Sequence, residues 1–105
     1  MIRCRITVLK KGYNEEFVDQ YVCSIRKPLG PCPVFEVGQV FETEPICEGM
    51  PKGFCAWAWD DIYKSLIGLA SGGNWGMWYE KPELIIACCT DGTRPVYFKI
   101  EKVES

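Results

Sequence analysis

Residues 2–9 alternate strictly. Cys4, Ile6 and Val8 fall on one side and Arg3, Arg5 and Thr7 on the other, the pattern of a strand buried on one face. Gly12-Tyr13-Asn14 breaks that pattern. Asn14 followed by Glu15 and Glu16 then reads as a helix start, a capping side chain with acids at the positive end of the dipole. Phe17, Val18, Tyr21, Val22 and Ile25 form an apolar stripe at helical spacing, and the helix should end near Cys23, because Lys27-Pro28-Leu29-Gly30-Pro31 cannot continue it. A turn is expected at Gly38-Gln39 and a strand over 40–43, with a short strand before the turn. Residues 44–53 read as loop.

The clearest helix runs from Cys55 to Ala70. Cys55, Ala58, Trp59, Ile62, Leu66 and Leu69 share one face, and Asp60, Asp61 and Lys64 face water. Ser71-Gly72-Gly73-Asn74 stops it. An aromatic loop, Trp75-Gly76-Met77-Trp78-Tyr79, follows. Residues 84–89 are a continuous apolar run, read as a buried strand. Asp91-Gly92 lies in the connection of a hairpin to the last strand, where Val96, Phe98 and Ile100 alternate with Tyr97, Lys99 and Glu101. The element order is β-α-β-α-β-β. It predicts a single small α+β domain over residues 1–105, a mostly antiparallel sheet of about four strands with two helices on one face.

Seven cysteines and no histidine in 105 residues change the picture from fold to chemistry. Without histidine the commonest general base and the commonest zinc partner are missing, so a reactive site must run on Cys, carboxylates, Tyr, Lys or Arg. The number seven is odd, which excludes a complete disulfide framework within one chain. The N-terminus alternates and lacks an apolar segment of the signal-peptide kind, and no apolar run approaches a membrane span. A cytoplasmic location with reduced thiols is therefore expected, with no membrane. A net charge of -2 and only two short basic runs, Lys10-Lys11 and Arg26-Lys27, argue against nucleic acid as a partner.

Most thiols need no function, since free cysteine is among the most buried residue types. Cys4 and Cys88 are assigned to the core on that basis. Three others stand apart. Cys32 sits between Pro31 and Pro33 in a stiff loop, poorly placed for routine packing and well placed to present a thiol; its bland alternative is a buried loop anchor. Cys55 opens the long helix, where backbone N–H groups and the dipole favour an anion, and it also lies on the apolar stripe. Cys89 lies at a strand end beside Thr90-Asp91, where functional residues emerge. No C-x-x-C occurs, so zinc-ribbon and ferredoxin spacings are absent. A thiolate-bound metal, zinc, copper(I) or an iron–sulfur cluster, would have to gather Cys32, Cys55 and Cys89 from distant segments, with Cys23 or Cys47 as a fourth ligand.

Trp57, Trp59, Trp75 and Trp78 fall within 22 residues. They are read first as core aromatics and a packed lid. Their functional alternative is a ligand-contacting aromatic wall of Trp57, Trp75 and Trp78. Arg94 is expected to pair with Asp60 or Asp61, or to bind an anion.

Several segments together carry a resemblance: GPCPVF at 30–35, the Gly-Gln turn at 38–39, GFCAWAWDDIYK at 53–64, the paired glycines at 72–73 and CCTDGTRPVYFKIE at 88–101. The chain resembles an uncharacterised family of small prokaryotic cysteine-containing proteins from its first strand to its C-terminus. The resemblance implies that Cys32, Cys55, Cys89 and Asp91 belong to the shared pattern, with Cys4, Cys23, Cys47 and Cys88 outside it. It implies no activity and no cofactor.

The leading expectation is a thiol site of Cys32, Cys55 and Cys89, with Asp91 orienting it. It would bind a metal or iron–sulfur cluster or do thiol redox work, in service of a larger enzyme or across a homodimer. The rival is a non-catalytic binding module with structural cysteines and a tryptophan-rich contact loop. A stand-alone enzyme ranks third, since a cysteine nucleophile without histidine needs another activator.

Overall fold

The inward halves of the alternating strands become one face of a sheet. The computed structural model describes residues 2–103. Strands β1 (Arg3–Lys11), β2 (Val40–Thr43), β3 (Leu84–Cys88) and β4 (Val96–Val103) form a four-stranded antiparallel sheet in the order β2-β1-β4-β3. Cys4, Ile6 and Val8 of β1 and Val96, Phe98 and Ile100 of β4 are buried on its inner face. The register pairs Ile6 with Ile100 and Val8 with Phe98, so the two central strands stack their apolar rows in phase. The outer face carries paired charges, among them Arg5 with Glu42 at 3.1 Å and Lys99 with Glu101 at 3.1 Å.

Helix α2 (Ala56–Ala70) covers the inner face and packs against β1, β3 and β4. Ala58, Ile62, Leu66 and Leu69 are buried beneath it, as their spacing predicts, and each fully buried Leu or Ile contributes about 1.5–3 kcal/mol. The helix stops where Gly72 takes φ +90°, a left-handed turn suited to glycine, and its N–H bonds the Leu69 carbonyl at 3.0 Å. Edge-on aromatic contacts complete the core: the Phe35 ring meets Phe41, Phe54 and Phe98 at centroid distances of 6.0, 5.0 and 5.2 Å.

Helix α1 (Glu15–Tyr21) follows its predicted start but ends before Cys23, because Val22 is already extended. Asn14 makes no side-chain cap. Its amide instead donates to the Gly92 carbonyl at 2.6 Å, and its backbone N–H to Thr93 O at 2.8 Å, which ties the helix start to the hairpin loop. Val18 is its buried residue; Phe17 and Tyr21 remain exposed.

Residues 34–37 form no strand. The Glu36 N–H donates to Gln39 Oε1 and the Gln39 N–H to Glu36 O, so this segment folds into the Gly38 turn. That turn docks on β1 through Gly38 N–H to Val8 O at 2.8 Å and Val8 N–H to Gln39 O at 2.9 Å. The run 84–89 is not buried on both faces either. β3 is an edge strand, with Ile85 inward and Ile86 outward. The parity of that pleat corrects one assignment: Cys88 is exposed and Cys89 is buried.

Candidate functional site

Three segments far apart in sequence meet where the N-terminus of α2 reaches the β3–β4 connection. Cys32 arrives on the proline-bracketed loop, Cys55 is the residue that precedes the first turn of α2, and Cys89 follows β3. All three line one cavity of about 100 Å³ together with Trp57, Asp91 and Arg94. Its apolar walls include Phe35, Ala58 and Val96. Cys32 and Cys55 are half-buried and Cys89 is buried. The structure thus brings together the three singled-out thiols and Asp91.

Each thiol is held differently. The Cys32 loop is anchored by Phe35, which is 1% exposed, and by Lys11, whose ammonium donates to Cys32 O at 3.0 Å and Phe35 O at 2.9 Å. Lys11 had no local signal beyond a two-residue basic run. A β-bulge after Val8 turns it toward this loop, because the register shifts there and places Lys11 opposite the buried Val96. Cys55 lies beside the N–H groups of the first turn of α2, which have no carbonyl partner within the helix. Cys89 is built into the hairpin: its N–H donates to Val96 O at 3.0 Å, and its Sγ accepts the Val96 N–H at 3.2 Å.

Asp91 accepts four hydrogen bonds, from Thr93 N at 3.0 Å, Thr93 Oγ1 at 2.8 Å, Arg94 N at 3.3 Å and Arg94 Nε at 3.3 Å. Partial burial pushes its pKa up, but the Thr93 and Arg94 donors together outweigh burial and hold it below the usual value, so it is a carboxylate at neutral pH. Arg94 therefore pairs with Asp91 and not with Asp60 or Asp61. Asp61 is engaged elsewhere. It accepts the Thr90 N–H at 2.7 Å and the Thr90 hydroxyl at 3.0 Å, and Thr90 Oγ1 accepts the Trp57 indole N–H at 2.8 Å. This non-local latch fastens the loop carrying Cys89 and Asp91 to α2. Nothing in the spacing of Asp61 and Thr90 announces it.

The tryptophans divide. Trp57 belongs to the thiol cavity, whereas Trp75 and Trp78 line a separate depression of about 410 Å³ with Met77, Tyr79 and Ile85. They do not form one wall. Of the remaining thiols, Cys4 is fully enclosed in the core and burial pushes its pKa up. Cys23, Cys47 and Cys88 are exposed and are not among the cavity residues. The Cys88 thiol is shifted up by partial burial first, then by Cys89 and Asp61.

Among the described residues no three Cys, Asp or Glu side chains are arranged as a group that could hold a metal ion. Among those residues, too, no helix is long and apolar enough to cross a membrane. Compared with protein-family models, with curated proteins and with solved structures, the chain matches none.

Proposed function

We propose that the cavity of Cys32, Cys55 and Cys89 is a thiol–disulfide exchange site, working in a reducing cytoplasmic setting in service of a larger enzyme system. The observation that carries this reading is the convergence of three thiols from three distant segments on one small cavity. Packing alone accounts for single buried cysteines, as at Cys4.

Cys55 is the attacking thiol. It precedes the first turn of α2, at the positive end of the helix dipole, and its side chain makes no capping hydrogen bond, which leaves the sulfur unengaged by the helix N–H groups. Its sulfur attacks one sulfur of a substrate disulfide. The substrate S–S bond breaks, a mixed disulfide forms on Cys55, and the leaving thiolate takes a proton from water. Cys32 then loses its proton to solvent and attacks the Cys55 sulfur. A protein disulfide forms and the second substrate thiol leaves. One disulfide has been reduced and two cysteines oxidised; a dithiol reductant reverses the sequence. Cys89 is less suited to resolve the intermediate, since it is buried and its sulfur already holds the Val96 N–H. Asp91 stays a fixed acceptor that shapes the rim through Thr93 and Arg94.

Anaerobic purification followed by metal analysis and thiol titration tests the proposal. The expected result is no stoichiometric metal and at least one cavity thiol that exchanges rapidly with a disulfide. Near-stoichiometric zinc or iron, with the cavity thiols protected until chelator is added, would replace it with a metal centre. Inert cavity thiols together with a tryptophan fluorescence response to added ligand would favour the binding-module reading.

A further inference from the structure

We infer that the substrate of this site is a small disulfide that carries a carboxylate or similar anion beside its sulfur pair, with Arg94 as the residue that reads the anion. The inference rests on the thiol-exchange reading above.

Size comes first. A cavity of about 100 Å³, open on one side to solvent, has room for the sulfur end of a small molecule. Charge comes second. Arg94 lines the cavity and uses only its backbone N–H and Nε, both on Asp91. Its terminal Nη groups have no hydrogen-bond partner among the described residues, which leaves one side of a planar guanidinium fork for an incoming carboxylate.

Two further positive features lie on neighbouring elements. The Lys11 ammonium lies under the Cys32 loop, bonded to two neutral carbonyls. The first turn of α2 presents its positive dipole end. The two nearby carboxylates keep their charge: Asp91 is ion-paired with Arg94 Nε, and Asp61 holds Thr90, so an incoming anion can be met only by the Nη groups of Arg94. Apolar Phe35, Ala58 and Val96 leave little else inside to bind a second polar group.

Two aromatic disulfides of similar reactivity separate the possibilities: one carrying a carboxylate on each ring, 5,5'-dithiobis(2-nitrobenzoate), and one neutral, 2,2'-dithiodipyridine. The reporter is the full chain with Cys23, Cys47 and Cys88 changed to Ser, so that the enclosed Cys4 is the one thiol left outside the cavity. In this background Arg94→Gln is expected to slow the dicarboxylate probe about tenfold and the neutral probe less than about twofold, the scale of one charged hydrogen bond. Arg94→Lys keeps the charge and should retain most of the preference. Equal slowing of both probes by Arg94→Gln, or no change in either, overturns anion recognition while leaving thiol exchange standing. Failure of the unsubstituted-Arg94 reporter to react with either probe overturns the exchange reading itself.

Discussion

Lys11 stands opposite Val96 across β1 and β4, although uninterrupted alternation from Val8 would put Lys10 there. The bulge that leaves Leu9 without a partner causes this one-residue slip. Lys10 moves to the outer face, with its ammonium 5.5 Å from the centre of the Tyr97 ring. Lys11 moves to the inner side and ties down the loop that presents Cys32. A local irregularity in the first strand thus positions a thiol 21 residues later.

Lys11→Met should therefore affect both stability and reactivity. It leaves two carbonyls without their charged donor, at a cost of about 1–3 kcal/mol in denaturant unfolding. Alkylation of Cys32, followed by peptide mass spectrometry, should quicken in native conditions. A stability loss with unchanged Cys32 protection would show that Phe35 alone holds the loop.

Asp61→Ala removes the acceptor for both the N–H and the hydroxyl of Thr90. Freed from α2, the loop after β3 should expose Cys89, and the Trp57 indole loses its fixed partner geometry. Expected are a loss of about 1–3 kcal/mol, faster Cys89 labelling and a changed Trp57 emission, the last absent when Trp57→Phe is added. Cys4 labelling should not change; if it rises in step with Cys89, the variant has loosened the whole core and the latch is not local.

The depressed pKa of Asp91 has a defined pH signature. A carboxyl whose folded-state pKa lies below its unfolded value stabilises the fold fully above the unfolded value, about 3.9 for Asp. That contribution disappears as pH falls through the folded-state pKa. The stability difference between the natural chain and Asp91→Asn should be constant from about pH 6 to 8 and shrink below about pH 4. A difference that grows on acidification would mean that the carboxyl is not held in its charged form.

Much of the fold was legible because period and punctuation agreed. β1, α2 and β4 bury the rows that their alternation marks, and Gly38 and Gly72 turn the chain at positive φ. The run 84–89 carries no parity because all six residues are apolar; the register that sets Ile85 opposite Ile100 and Cys88 opposite Tyr97 decides that Cys89 faces in and Cys88 out. The apolar stripe over 17–25 is helical only as far as Tyr21, with Val22 extended and Ile25 beyond the helix end; its burial depends on having a neighbour, and Phe17 and Tyr21 have none that encloses them. At the site, Cys32, Cys55 and Cys89 could be picked out by local context (prolines, a helix start and a strand end), whereas Asp91 joined them only through the resemblance. Lys11, Phe35 and the Asp61–Thr90–Trp57 latch could not. Their roles arise from contacts between segments that only the register brings together.

The most direct measurement is disulfide mapping after mild oxidation of the fully reduced chain with a limiting small disulfide, quenched by alkylation and read by mass spectrometry. The account predicts one dominant intramolecular disulfide, Cys32–Cys55, with Cys4 alkylated only after unfolding and little bridging elsewhere. Bridges scattered over Cys23, Cys47 and Cys88 with Cys32 and Cys55 still reduced would contradict it.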